Sequence, residues 1–578
     1  MRCKLSAPVI AYSILCMGAC SATSAAAPDD RLVEAVKSGS YAQVEALLIA
    51  RVPVDSAEGD GTTALHWAVY DDDLELAAML LKAHADPHAA TRLDGTTPLW
   101  MASQNGNAAM IRLLLSHGAD PNEANAIGTA PLMMAAASGS VDAVRELVEH
   151  GAQVNAREQA HEQTPLMFAA NKNRTQAIQY LIAHGADPNL ASKVVILPKI
   201  EFAQNGKVVY PGDGAHNQSA EKKDVSQPES EANSGSNAKA SDKTAAAADT
   251  DEAKKKMHRD HAAKQMGGMT PLLYAARQGN IAAAAALIDG GADINHSSGS
   301  EHTTPLVLAI ANGHYDLAKM LVDRNADVNK ANDMGLTPLY ATVDVQWAPH
   351  EWSPEPVVAQ ESTDYLALMK LLIAHGANLN ARLGRVLWFR VLSENRNWTD
   401  PAGSTAFWRA AQADDVAAMK LLKDAGADTS IPSSNGTTPL MVATGLGWAA
   451  NYSTTAPTRM EAVQYCLSLG QSLNQQDGLG FTALHGAAFV GDLKLIQYLV
   501  DRGARTDLKN KAGDTVADAA NGLFEKSLPN SEAVALLEKL GSPNSHNCRS
   551  SDCVPPVKED KKPVAVAATE TKKAAGNQ

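Results

Sequence analysis

From Gly95 to Ile127 the chain reads GTTPLWMASQNGNAAMIRLLLSHGADPNEANAI, and its apolar positions fall into two helical periods separated by a polar break. Thr97 is placed to cap a first helix, and Pro98 fills the first helical position, where no backbone donor is lost. Leu99, Ala102 and Ser103 then share one face of that helix. Asn105-Gly106-Asn107 ends it after about two turns. A second helix from Ala108 to Ser116 carries Met110, Ile111, Leu113, Leu114 and Leu115, enough apolar surface to face both its partner helix and the next segment. Gly118 is expected to end it in the left-handed conformation that glycine adopts without steric cost. Asp120-Pro121-Asn122 opens an extended excursion, so the pattern predicts helix, turn, helix, loop.

The pattern recurs. Its Gly-x-Thr-Pro-Leu opening stands, with small variations, at Thr97, Thr164, Thr270, Thr304, Thr337 and Thr438, and in weaker form at Thr63, Thr405, Thr482 and Thr515. The step is 34 residues from Thr63 to Thr97 and from Thr270 to Thr304, and 33 from Thr304 to Thr337, Thr405 to Thr438 and Thr482 to Thr515. A fixed period of this size describes a stacked array that grows by adding neighbours and presents a surface. The 578 residues therefore need not form several closed domains of about 150 residues each. Apolar residues make up 45 % of the chain but aromatics only 5 %, so the interior is built from Ala, Leu, Val, Ile and Met on closely packed helices. A formal charge of −14 disfavours a phosphate-binding surface, and no nucleic-acid partner is assigned.

Thr-Pro-Leu-x-x-Ala-x-x-x-Gly, then a Leu-Leu helix, then Gly-Ala-Asp-x-Asn, resembles the ankyrin repeat, with close matches at 95–127, 128–160, 163–193, 269–302 and 303–334. His66 and His485 keep the family's Thr-x-Leu-His form. The resemblance covers about 430 residues in about twelve units, from Asp30–Glu58 to Gly513–Gly541. It implies an all-α ankyrin repeat solenoid, elongated and curved, with helix-turn-helix units joined by extended hairpin-like loops. It also implies a binding scaffold, since such arrays serve targets that differ from protein to protein. In the family the partner meets the concave side, made by loop tips and exposed positions of the first helix. Carried onto this chain, those positions are Tyr70 and Asp71, Gln104 and Asn105, Asn171 and Lys172, Arg277 and Gln278, Gln412 and Ala413, Phe489 and Val490.

Departures from the period divide the chain. Repeats occupy 28–193 and 269–541, separated by a low-complexity insertion at 194–268 and followed by a disordered tail at 542–578. From Asn217 to Lys264 the insertion has too few large apolar side chains to offset the entropy of ordering. Its opening, Val194 to Leu197 and Val208 to Tyr210, predicts a hairpin beside the stack, and Lys254-Lys255-Lys256 reads as a solvated face. Within the second block, insertions at 346–363, 384–403 and 447–459 hold Trp347, Trp352, Trp388, Phe389, Trp398, Trp448 and Tyr452, with Trp408 on an adjoining helix. Six of the eight tryptophans thus lie between 347 and 448. Such aromatics either anchor a partner or bury themselves as a local mini-core, and the sequence leaves both open.

Chemistry adds little to this picture. Residues 1–27 have the form of an export signal, with Arg2 and Lys4 ahead of an apolar run from Leu5 to Ala19 and small residues after it. That run is shorter than the roughly twenty residues a spanning helix needs, and no transmembrane segment is expected. Met17-Gly18-Ala19-Cys20 resembles the box cleaved ahead of a lipid-modified cysteine in bacterial lipoproteins, with Cys20 the acceptor, while Ser24-Ala25-Ala26 offers ordinary cleavage. A periplasmic or secreted product and an outer-membrane lipid anchor both follow from that reading. Cys548 and Cys553 are spaced to close a small disulfide loop in an oxidising compartment, and Cys466 reads as a buried helix residue.

Histidines 117, 150, 184 and 375 each precede a helix-ending glycine, which makes them structural, and the Asp and Asn of Gly-Ala-Asp-x-Asn read as loop caps. We find no nucleophile elbow, phosphate loop, His-Glu-x-x-His or calcium loop, and assign no catalytic residue, cofactor or metal. An enzyme would have to use Asp344, His350, Glu351, Glu355 and Glu361. The function expected is an exported, monomeric scaffold that binds another protein through the concave surface, the tryptophan-rich insertions, or both. The alternative is a carbohydrate or cell-wall binding protein that stacks those aromatics on sugar rings.

Overall fold

The computed structural model describes residues 30–197, 201–202, 208–209, 265–347, 358–385, 387, 399–447, 457–523, 528–545, 547 and 553–554. The leader with Cys20, the stretch 217–264, Trp352, Trp388, Trp398, Trp448, Cys548, and His350, Glu351 and Glu355 lie outside them. Among the described residues stand 24 α-helices, arranged as consecutive short pairs, and four strands of two or three residues. The fold is all-α and built of helix-turn-helix repeats, as the period predicts. Two compact units divide between Gln153 and Val154. The first holds four pairs, from Arg31–Lys37 with Tyr41–Ile49 to Pro131–Ser138 with Val141–Glu149. The second holds eight, from Pro165–Asn171 with Thr175–Ala183 to Val516–Ala520 with Ser531–Lys539.

Local chemistry sets each pair. The opening threonine turns its hydroxyl onto the backbone N–H three residues on at Thr63, Thr97, Thr270, Thr304, Thr337, Thr405, Thr438, Thr482 and Thr515. That bond satisfies one of the donors a helix start leaves orphaned. Ala130 lacks the hydroxyl, and Thr164 makes no such bond. After the second helix Gly118 has φ +98°, and where glycine is missing at this place His84 and Asn325 still adopt φ +67° and +65°. The loop geometry is therefore imposed by the array and not chosen by the residue. Leu65, Leu99 and Leu132, with Ala68, Ala102 and Ala135, are fully buried between successive first helices of the first unit, where the small side chains let backbones approach.

A second tie joins repeat to repeat. The asparagine of Gly-Ala-Asp-x-Asn donates from Nδ2 to the glycine carbonyl of the next repeat and accepts at Oδ1 from an N–H two residues beyond it. In the first unit Asn122 bonds Gly151 O at 3.1 Å and Gln153 N at 2.8 Å. In the second, Asn155 spans to Gly185 and Asp187, Asn329 to Gly376 and Asn378, and Asn474 to Gly503 and Arg505. The aspartate is the local loop cap, as Asp120 shows by accepting Asn122 N at 2.8 Å. The asparagine, read from sequence as a loop cap too, is instead a bridge.

This bridge passes straight across the 194–268 insertion. Asn189 donates to Gly291 O at 3.1 Å and accepts from Asp293 N at 2.8 Å, while Asn280 Nδ2 reaches Ala170 O at 2.9 Å. Helices Pro165–Asn171 and Pro271–Gln278 pack as neighbours, so the stack is continuous there. The insertion's two ends must consequently meet. Val194–Ile196 pairs antiparallel with Gln265–Gly267, and Glu201–Phe202 with Val208–Val209. The hairpin expected between 194–197 and 208–210 is thus corrected: the first strand takes the returning end of the insertion as its partner. Gly267, at φ +101°, allows this close return, because a Cβ there would lie 1.9 Å from Lys193 O.

Asn189→Ala should lower the stability of the second unit by about 1 kcal/mol, since both lost bonds lie where water can replace them in part. Equilibrium denaturation measures the loss, and amide exchange at Asp293 should accelerate; unchanged exchange there would count against the bridge.

Candidate functional site

In the first unit, the family-derived positions Tyr70, Asp71, Gln104 and Asn105 are exposed. Asn105 is not wholly free, for its Nδ2 donates to Val69 O at 3.3 Å. Three residues before Tyr70 the structure adds a position that the sequence reading passed over. Trp67 is half-buried, donates from Nε1 to Glu58 at 2.8 Å, lies under the Lys37 ammonium at 4.6 Å, and meets the Tyr70 ring edge-on at 5.6 Å. Met101 and Met134 stand at the same register in the next two repeats and are also half-buried. Together they leave an apolar stripe beside an exposed polar row. Its signal in the sequence was the residue after Thr-x-Leu-His, which is Trp67.

In the second unit Arg277 and Gln278 are exposed, and the Arg277 guanidinium covers the Tyr274 ring at 5.1 Å. Gln412, Phe489 and Val490 are half-buried. Ala413 is fully buried, so it offers no surface. Trp408 is corrected too: it is fully buried and donates from Nε1 to Thr437 O at 2.8 Å. Trp408 stands three residues after the capping Thr405, where Trp100 bonds Thr129 O at 3.0 Å and His66 Nε2 meets Thr96 O at 3.0 Å. A side-chain N–H at this position reaches the next repeat's backbone. Its role is stacking.

Some of the described ends of the tryptophan-rich insertions meet the helix Ala406–Gln412 and the turn after it. Trp347, half-buried, donates from Nε1 to Asp415 Oδ2 at 2.8 Å, and its carbonyl accepts from Arg409 at 2.9 Å. Arg409 occupies the register of Trp67 but pairs with buried Asp344 at 2.9 Å. The far end of the same insertion is tied to the preceding repeat: Asp316 accepts from Ser362 N, Ser362 Oγ and Thr363 N at 2.7–2.8 Å. Those bonds outweigh the desolvation that opposes them and hold the Asp316 carboxyl down at about 2. Beyond, Thr458 Oγ donates to Asp414 O at 2.5 Å and Arg459 pairs with Asp414 at 3.1 Å. Burial nevertheless pushes the Asp414 carboxyl up to about 7 and the nearby Cys466 thiol up to about 12. Gly447 sits against Thr399, which brings the second and third insertions together.

These groups are used for structure. Asp344 is held by Arg409, and Glu361 accepts Asp316 N at 2.7 Å. Cys466 is a buried free thiol, as the sequence suggests. His117, His150, His184 and His375 each donate from Nδ1 to the carbonyl four residues back, at 2.7–2.9 Å. Among the described residues no cluster of His, Cys, Asp or Glu could hold a metal ion, and no helix is long and apolar enough to cross a membrane.

Arg409→Met should destabilise the second unit by about 3 kcal/mol, because Asp344 is left buried without its cation, whereas the double change with Asp344→Val should recover most of the loss. A denaturation cycle of the two single variants and the double decides it. His485 gives a pH-dependent counterpart, with its ring pushed down to about 4 by burial. The unfolded chain then binds the proton more tightly, so the stability is present above about pH 6.5 and is lost as pH falls toward 4. His485→Leu should flatten that part of the denaturation profile, and an unchanged slope would contradict the assignment.

A family model described as ankyrin repeats in three copies matches residues 32–125, 123–192 and 244–332, and one described as ankyrin repeats in many copies matches 448–500. Together these matches take in just over half of the chain. Over 188 residues the chain is 29 % identical to a transient receptor potential cation channel subfamily A member 1 homolog of Caenorhabditis elegans, covering 29 % of this chain and 14 % of that protein. It is 50 % identical over 54 residues to ankyrin repeat domain-containing protein 37 of Homo sapiens, covering 9 % of this chain and 34 % of that one. The Bos taurus counterpart is 37 % identical over 86 residues, covering 14 % and 54 %. The chain thus spans between 14 and 54 % of these relatives' lengths, and what it shares with them is the repeat. Repeat period, capped helix pairs, asparagine bridges and family matches agree, and the chain belongs to the ankyrin-repeat proteins.

Proposed function

We propose that this protein is an exported scaffold that binds another protein through its inner helix face and its tryptophan-rich insertions. Ankyrin repeats generally serve protein–protein interaction, which supports the coarse part of this reading. The observation that carries the finer part is the anchoring of the insertions. Trp347, Ser362, Thr363, Thr458 and Arg459 fasten their described ends to two repeats, around Asp316 in the one that opens at Thr304 and around Asp414 and Asp415 in the one that opens at Thr405. Fixing both ends of a loop lowers the entropy that it loses on binding. Export rests on the leader at 1–27, and the disulfide at Cys553 is in keeping with an oxidising compartment. Cys20 is the residue that would carry a lipid anchor.

The test is a crosslinked pull-down with the mature chain, run beside a variant whose residues 348–357 and 448–456 are replaced by short Gly-Ser turns that keep every anchor. Loss of a stoichiometric protein partner from the variant is the expected result. A partner retained in full would remove the insertions from the binding surface, and retention of glycan in place of any protein would favour the carbohydrate reading.

A further inference from the structure

After Gly541 the sequence leaves the repeat pattern, yet the face of the repeat that opens at Thr515 is covered. The residue three places after its capping threonine is Asp518, where earlier repeats carry His66, Trp100 or Trp408 and reach the next repeat. Asp518 is fully buried, and its carboxylate accepts Thr515 N at 2.8 Å, Ser545 N at 2.9 Å and the Ser545 hydroxyl. Thr515 Oγ donates to Pro543 O at 2.7 Å, and Ser542 Oγ accepts Ala517 N at 3.1 Å. Asn521, also fully buried, grips Val554 at both backbone groups, accepting its N–H at 2.7 Å and donating to its carbonyl at 3.2 Å. Asn547 donates to Asp514. Cys553, next to the gripped Val554, is disulfide-bonded.

We propose that Ser542, Pro543, Ser545, Asn547 and Val554 form a cap that stands in for a further repeat, and that the disulfide at Cys553 latches it. A stacked array needs a polar outer face at its end, because an ordinary repeat would leave an apolar face open to water. Here most of the contacts are polar, for the repeat meets Ser542, Pro543, Ser545, Asn547 and Val554 with the buried side chains of Asp514, Thr515, Asp518 and Asn521 beside its apolar ones. These bonds join residues 25 to 33 positions apart in the sequence, so their strength depends on holding the tail in register. The disulfide does this by restricting the released tail. Cys548, five residues before Cys553, is the partner that the sequence spacing offers; Cys466 is free and buried in the helix Arg459–Ser468. A dithiol reductant would break the S–S bond, delivering two electrons and two protons to give two thiols while it closes to its own cyclic disulfide. The cap then loses its latch.

Hydrogen exchange on the oxidised full chain should show slow amides across 515–521. In Cys553→Ser, and in the wild-type chain under dithiothreitol, those amides should exchange about tenfold faster or more, while repeats up to Ser468 stay as they were. A chain ending at Ser542 should show the same or a larger loss. Unchanged protection in Cys553→Ser overturns the latch, and unchanged protection in the shortened chain overturns the cap.

Discussion

Each repeat in this chain makes two short helices with more apolar surface than the pair can cover alone, and the rest of the structure follows from where that surface goes. It goes to the neighbouring repeat, through Leu and Ala on the first helix and through an asparagine that clasps the next loop. Both ties are local, so stability is set between neighbours and not by one central core. The left-handed turn at His84 and Asn325 is a consequence, for the stack fixes the loop even where glycine is absent.

Because neighbours carry the stability, chain can be added between them if its ends return to the same place. A flexible loop costs only about 0.6 kcal/mol more for each doubling in length. The 194–268 insertion meets this condition with a short antiparallel ribbon at its base, and the asparagine bridge closes the stack beneath it. The tryptophan-rich insertions meet it differently, by hydrogen bonds to side chains of adjacent repeats. Asp344 and Arg409 take positions that are apolar or exposed elsewhere in the array, which ties the buried ion pair to the presence of these loops. At the C-terminus the same demand is met by a polar cap.

The repeat, its boundaries within units and the structural histidines were legible because they depend on residues a few places apart. What escaped notice depends on partners a full period away. Asn122 looks like a turn residue until its bond to Gly151 is seen. Trp408 was grouped with the loop tryptophans by a count that ignores register, whereas its place three residues after Thr405 assigns it to the core. Trp67 was passed over because it sits inside a well-matched motif, where surface and packing positions alternate residue by residue. Polarity marks the residues after Gly541 as disordered, but Ser545 and Val554 bond to Asp518 and Asn521, which are buried polar groups, and no hydrophobic pattern announces such a match.

The central claim is that neighbouring repeats, not the intervening chain, hold the array together. The most direct test joins Leu197 to Gln265 with a short Gly-rich turn and measures hydrogen exchange in the helices Thr175–Ala183 and Ile281–Asp289. The account predicts protection equal to that of the full chain in both helices. Loss of protection in either, with the rest of the second unit intact, would contradict it.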